Sequence, residues 1–538
     1  MKKIHNYNKM KRIMIKLICF NILALIYTPI LLAEKVLIIA QAGDVATIDN
    51  QQSVGPAKNA TIQIYDWQLL RFKSVLGPKG KTLSVHPRDM IPGIIVAWKA
   101  IPNNDGSCIQ KMRIRPGAVF HSGNPVTAHD LKYAWIRRAA LGRDLHHRQL
   151  GAMYKYKEGL DESIKIIDDL NLEVKTKKCM PLFYDTTATH KTYFDSKLVK
   201  ENSNSEDPWG LKFVAKNDAG SGPFIIKDWK VGNEMVLERF ENYYGPRPPI
   251  DKMIFKTVPD LSARVLLLKK GDIDIALNIP QRELNHLKKD PNINVVSAPS
   301  GNKLFIGMSN NLEPFNNKNV RLALTYAFPY DAVFKSVFIT GAQKLYGPIP
   351  TGVEGALSKR MYSTDLKKAK ILLNQANLGK DINLTIKWQT GNPTHEKIAI
   401  LFKDNLKKIG VNLKIQQLPV GQFSTGIRSK KLDFFVTESL AWVLTPEYIG
   451  SLNYVSKNAW NTVSYSNKRV DELVEKALNE ANNQKRLKLN IEMQEIILSD
   501  VPYIYVAQPD FQLAMRANIV GYTAQNTGLH HLWMVDKL

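Results

Sequence analysis

Arg113-Ile-Arg-Pro-Gly-Ala-Val-Phe-His-Ser-Gly-Asn-Pro-Val-Thr-Ala-His-Asp-Leu-Lys-Tyr-Ala-Trp135 is the stretch from which the fold is read. Pro116-Gly117 and Gly123-Asn124-Pro125 are turn signals on either side of the short apolar run Ala118–Phe120. Thr127 stands three residues before Asp130, the Thr-x-x-acid pattern of a helix N-terminus, where side-chain oxygens accept from amides that lack a helical partner. Leu131, Ala134, Trp135 and Ile136 give the following helix a buried face. The stretch predicts a strand, two tight turns and a capped helix.

Outward from it, the same unit types recur. Val36–Ala40 is a continuous apolar run, the mark of a buried strand, and Asn104-Asp105-Gly106 is a hairpin turn leading into Cys108. Asn171–Thr176 alternates as a strand with one wet face, whereas Tyr184–Asp207 reads as polar and irregular. Pro329 should end the helix that carries Val320–Ala327. Leu384–Trp388, a helix around His395–Ile409 and Val411–Leu418 form a β-α-β unit, which favours a parallel sheet.

With 538 residues the chain exceeds one hydrophobic core, and 44% apolar content marks it as folded. Residues 1–33 read as a cleavable secretory signal: a basic start, the apolar run Leu17–Leu32, and Ala33 before Glu34. The net charge is +25; taking away the six basic residues of that leader leaves +19, still strongly basic. An excess of lysine is mostly a solvated surface, and it also favours anionic ligands or envelope polymers. Nucleic-acid binding fits the charge but finds no groove-reading motif. Beyond the leader stand two cysteines, Cys108 and Cys179, either a disulfide or two separate buried thiols. Phosphate-loop, Gly-x-Ser-x-Gly, His-Glu-x-x-His and paired-Cys metal patterns are absent from the sequence. His146-His147 and His530-His531 are adjacent pairs that diverge on a strand or a helix, so neither chelates a metal well alone.

Arg115–Gly123 with Pro125–Asp130 resembles the "R-K-G-V-x-F-H-D-G-x-P-x-T-A-x-D" signature of family 5 extracellular solute-binding proteins, with Ser122 where Asp is usual. Gly220-Ser-Gly-Pro-Phe…Trp229, Gly271-Asp-Ile-Asp274 and Val320-Arg-Leu-Ala323 match further family strings, and the resemblance runs from about Val36 to the end. It implies an α/β, two-lobed periplasmic-binding-protein fold (type II, cluster C-like) with an extra subdomain inserted in lobe I. Lobe I would comprise 34–65, 200–304 and 505–538, with the insert at 66–199, and lobe II 305–504. The implied function is binding, not catalysis: a monomeric periplasmic receptor of a Gram-negative bacterium that passes a peptide or peptide-like solute to ABC-importer permease subunits in the inner membrane. No cofactor and no resident metal are implied. Nickel chelates, haem, opines or oligosaccharides are other ligands of such scaffolds, and a basic envelope adhesin or chaperone is the reading from a different class.

Peptide-binding relatives carry "F-D-x-x-x-x-G-W-x-x-D-x-x-x-P", whose second Asp pairs with the ligand ammonium. Here Leu432–Ile449 puts Glu438 and Ser439 at the Gly-Trp positions and Trp442 where that Asp belongs. A buried ammonium needs an anion, so Glu438 or Glu447 would have to substitute. Trp442 either offers a flat face to a ring, sugar or cation, or packs in lobe II away from any ligand. Glu438-Ser439-Leu440 are expected to present strand-edge groups opposite Ser53-Val54-Gly55, and the segment with Trp388 and His395 lines the cleft by resemblance.

Overall fold

In a computed structural model, residues 34–53, 55–65, 69–76, 82–84, 90–142, 159–190, 192–338, 341–379, 382–524 and 530–538 are described. The leader reading for residues 1–33, Val54 and the pair His146-His147 lie outside them.

The chain begins with β1 (Val36–Gln41) and α1 (Pro56–Tyr65). The hairpin β2 (Ile95–Pro102) and β3 (Cys108–Ile114) turns through Gly106, whose φ is +81°. The opening signature follows, then α2 (Ala128–Ala140), β4 (Ile164–Asp168) and β5 (Asn171–Thr176). Next come β6 (Phe224–Lys230), β7 (Glu234–Arg239), β8 (Lys252–Thr257), α3 (Leu261–Lys270), β9 (Ile275–Ala276) and β10 (Ile293–Ala298). The second half runs β11 (Asn302–Met308), α4 (Lys318–Ala327), β12 (Ala342–Lys344), α5 (Leu366–Gln375), β13 (Ile382–Gln389), α6 (Pro393–Lys407), β14 (Val411–Leu418) and β15 (Phe434–Leu440). Helices α7 (Pro446–Asn453), α8 (Lys468–Asn479) and α9 (Asn483–Asp500) precede β16 (Tyr503–Pro509) and β17 (Phe511–Arg516).

Two large sheets result. One has the order β6-β7-β8-β1-β9-β17-β10, the other β12-β16-β11-β15-β13-β14, and a smaller sheet is β2-β3-β5-β4. In the first, β1 runs parallel to β8 and β9; in the second, β13 runs parallel to β14 and β15, as the β-α-β pattern predicts. The expected lobe boundaries at 304/305 and 504/505 fall inside β11 and β16 of the second sheet; the chain passes between the sheets at 299–301 and at Asp510. One core of the second sheet joins Leu304, Ile306, Ile386, Trp388, Phe434 and Val436 to the inner faces of α4, α5 and α6.

The opening stretch folds as read, with one difference in its cap. Asp130 does the accepting: the amide and hydroxyl of Thr127 both donate to its carboxylate, at 2.8 and 2.7 Å. Gly117 and Gly123 hold φ of +75° and +90°, conformations that cost side-chain-bearing residues dearly. His121 explains why the stretch is so specific. Its Nδ1 meets Asp218 and its Nε2 the Gly222 carbonyl, both at 2.9 Å, so both nitrogens donate in the protonated ring. Burial opposes that charge, but the Asp218 carboxylate and the two hydrogen bonds raise the His121 pKa above its ordinary value. The signature thereby grips the Gly220–Gly222 turn, where a Cβ on Gly220 would stand 2.2 Å from the Ile64 carbonyl oxygen. These glycines let the turn touch the end of α1.

One segment departs from its reading. Tyr184–Asp207, read as irregular, takes in most of the helix Leu182–His190 and all of Ser196–Glu201. Thr186 and Thr187 return their hydroxyls to the Phe183 carbonyl, at 2.9 and 2.8 Å, which satisfies polar groups that would otherwise count against a buried helix.

Cys108 at the start of β3 is bonded to Cys179, just past β5, with their Cα atoms 4.9 Å apart.

Candidate functional site

The two crossings between the sheets are laced together. Gln508 donates to the Ser300 carbonyl (2.7 Å), the Ser300 hydroxyl to the Pro509 carbonyl (2.6 Å), and the Ser297 hydroxyl to Asp510 (2.7 Å). Because β11 leaves the crossing and pairs antiparallel with β15, the carboxyl ends of β15 and β13 face this edge. The carboxyl ends of β1, β8 and β9 do so from the other sheet. Carboxyl ends of parallel strands are where open α/β sheets hold ligands.

Glu438 occupies this edge. Strand alternation puts Phe434 and Val436 into the core and carries Glu438 to the open end of the same face. Its carboxylate accepts from the Asn302 amide at 2.5 Å and lies 3.4 Å from Nε2 of His395. His395 is in the first turn of α6, placed by the Asn392 side chain, which accepts its amide at 3.1 Å. The ring is buried and meets Glu438 at ion-pair distance without the alignment of a hydrogen bond. Burial pushes the Glu438 pKa upward, but His395 and Asn302 prevail and hold it below the ordinary carboxylate value. About a third of the Glu438 side chain still meets solvent, so the pair is a reachable charge and not a sealed one.

Beside it, Ser439 and Leu440 are half-buried at the strand end, paired to Lys303 and Asn302 of β11. On the opposite edge, β15 shares one register pair with β13, Lys387 with Phe435. Trp442 follows, half-buried, and Nζ of Lys58 lies 4.0 Å above its ring centroid. Lys58 is in the first turn of α1, so this contact joins the segment after β15 to the helix after β1. Burial, with the nearby Arg138 charge adding to it, lowers the Lys58 pKa to about 7.

Four other expected residues have different surroundings. Trp388 is sealed at 1% exposure in the core of the second sheet and lines no cleft. Glu447 is in α7, buried 3.6 Å from Nε of Arg486 and accepting from Asn490 at 2.9 Å, which ties α7 to α9. Ser53 is buried with its hydroxyl 3.2 Å from that of Thr61; Gly55 is exposed with φ of +54°. His530 and His531 form a short buried strand, and Tyr522 reaches Nδ1 of His530 at 3.0 Å, a structural role. Lys58 and Asn302 were not singled out from the sequence, because only the packing of α1 and β11 brings them to this edge.

The model of "Bacterial extracellular solute-binding proteins, family 5 Middle" matches residues 90–461, well over half the chain. The chain is a family 5 solute-binding protein. Among curated relatives it is 27% identical over 511 residues to "Probable D,D-dipeptide-binding periplasmic protein DdpA" of Escherichia coli (strain K12), covering 91% of each chain. The oligopeptide-binding protein AppA of Bacillus subtilis (strain 168) is 26% identical, over 79% of this chain and 80% of its own. Among solved structures, the Helicobacter pylori periplasmic binding protein DppA in complex with peptide STSA superposes with a TM-score of 0.77 at 23% identity, covering 93% and 98%. NikZ of Campylobacter jejuni in complex with Ni(L-His) does so at 0.74 and 21% identity, covering 93% and 99%. The fold is thus shared with structures solved with a peptide and with Ni(L-His).

Proposed function

We propose that this family 5 protein is the solute receptor of an ABC importer, taking a peptide or peptide-like solute between two lobes and delivering it to permease subunits in the inner membrane. It would be exported through its leader and act in the periplasm as a monomer that binds and does not catalyse. The lobes would be built on the two large sheets, with the insert 66–199 carried by the first and the chain crossing between them at 299–301 and Asp510.

The observation that carries this reading is the end of β15, whose second edge is unpaired among the described residues. Past the single pair Lys387–Phe435, residues Val436–Leu440 extend toward the crossings with one edge beside β11 and the other not continued by β13. An extended ligand backbone can add along such an edge, a mode that tolerates varied side chains. Glu438 stands at the same edge as an anionic partner for a ligand amine. Its relatives named as D,D-dipeptide- and oligopeptide-binding proteins support it.

Ligand would shift an open–closed equilibrium by its greater affinity for the closed form. Thermal unfolding and small-angle scattering with a pool of synthetic di- to pentapeptides test this. A bound peptide at a hundred times its Kd should add about 2.7 kcal/mol of stability and compact the particle. Unchanged melting and scattering across all pools would refute the peptide reading.

A further inference from the structure

We infer that the turn 177–180 of the insert is a latch between the lobes: it carries Lys178 to Glu475 on α8, and the Cys108–Cys179 bond keeps it in place. The inference rests on the two-lobed closure of the receptor reading, whatever the solute.

The turn is fixed from several sides. Thr176, the last residue of β5, is paired in register with Cys108 of β3, and Cys179 is bonded to that same Cys108. The Thr176 hydroxyl donates to the Lys178 carbonyl at 2.9 Å, and the Gln110 amide donates to that hydroxyl at 3.3 Å. Met180 is buried on the far side. The chain therefore bulges outward at Lys177 and Lys178, both exposed. A side chain on so short and constrained a turn has little backbone freedom left to lose when it meets a partner.

That partner belongs to the other lobe. Nζ of Lys178 lies 3.5 Å from the Glu475 carboxylate. Asp471, Val474, Glu475 and Leu478 follow the i, i+3, i+4, i+7 spacing of one helix face, and with Lys178 and Met180 they line a groove of about 730 Å3. Asp471 already accepts from the Ser456 amide at 2.9 Å, so Glu475 is the acid of this face that the turn reaches. The insert is fastened to the first sheet's body by the fully buried Arg137–Asp49 pair, 2.7 Å apart, and by the His121 bonds to Asp218 and Gly222. Helix α8 packs on α7 and α9, and α9 runs into β16 of the second sheet. Since the chain passes between the sheets at 299–301 and Asp510, a hinge rotation there parts Lys178 from Glu475. An exposed ion pair is a weak bond. That suits a latch, because a small differential contact biases the closed form without trapping the solute.

The test is single-molecule energy transfer in the whole protein, with dyes attached at positions 231 and 416. These are exposed sites beside β6 and on β14, the end strands of the two large sheets. Lys178→Glu should lower the closed-to-open ratio about two- to fivefold in low salt, and combining it with Glu475→Lys should restore the wild-type ratio. Cys108→Ala with Cys179→Ala should lower the ratio in the same direction and shrink the further effect of Lys178→Glu to under about twofold. Should the double alanine variant not fold, the charge exchange carries the test. Two states whose ratio ignores Lys178→Glu, or is not restored by the exchange, would overturn the latch and leave the receptor reading standing. A single state in every variant, with and without di- to pentapeptide pools, would overturn both.

Discussion

Nζ of Lys58 rests 4.0 Å above the Trp442 ring, and this contact links α1, which follows the central strand of one sheet, to the segment that ends β15 in the other. A cation–π contact of this kind is worth about 0.5–2 kcal/mol according to its desolvation. As a candidate ligand-facing ring, Trp442 changed to Ala should weaken the tightest peptide found among the di- to pentapeptide pools by about tenfold, seen as a raised Kd by calorimetry. An unchanged Kd would place Trp442 outside the ligand's reach.

Glu447 and Arg486 make the contrasting case. Both are buried, and removing one partner of such a pair leaves an uncompensated charge, a loss of about 3–5 kcal/mol. Glu447→Ala should lower stability by that order in urea unfolding while peptide Kd stays as in the wild type. A selective loss of binding would return Glu447 to the ligand site.

Lys303 is a buried lysine at the start of β11, donating to the Pro348 carbonyl at 3.1 Å and to Asn453 at 3.0 Å. Burial lowers its pKa to about 7, below the 10.5 of the free side chain. Between those values the unfolded chain binds the proton that the folded one has lost, so this residue's contribution to stability rises with pH across the window and is absent below it. The stability of the wild type relative to Lys303→Met should grow by a few kcal/mol, on the order of 1.4 per pH unit, between pH 7 and 10. A constant difference would contradict the assignment.

His121 has the opposite sign. Its folded pKa is raised, so its stabilisation is complete below the unfolded value of 6.5 and is lost as pH climbs through the folded one. The stability gap between wild type and His121→Gln should be largest near pH 6 and narrow toward alkaline pH, by urea unfolding at each pH. A gap that widens with pH would mean the ring is neutral.

Much of the fold was legible because its signals are local. Turn glycines, the Thr127–Asp130 cap and the 3.6- and 2-residue periods mark elements wherever the chain goes, and the β-α-β pattern of 384–418 fixes a parallel pair. The helix Leu182–His190 was not legible, since its threonines are made acceptable by bonds to the Phe183 carbonyl that composition does not announce. The site was legible only in part. Glu438 follows from strand alternation, but Glu447 has an equally plausible spacing and its pairing with Arg486 depends on how α9 packs. Trp388 alternates toward the core by the same parity as Ile386, which a cleft-lining reading overlooks. Lys58 and Trp442 meet only because α1 packs against the segment after β15, which no local pattern announces.

The central claim, that this chain is a receptor for a peptide-like solute, is tested most directly by native mass spectrometry of the protein isolated from periplasm without denaturation. The account predicts an adduct that dissociates on unfolding and fragments as a short peptide or peptide-like compound. A protein that carries only a non-peptide ligand, or that never retains one under conditions that preserve complexes of its relatives, would contradict it.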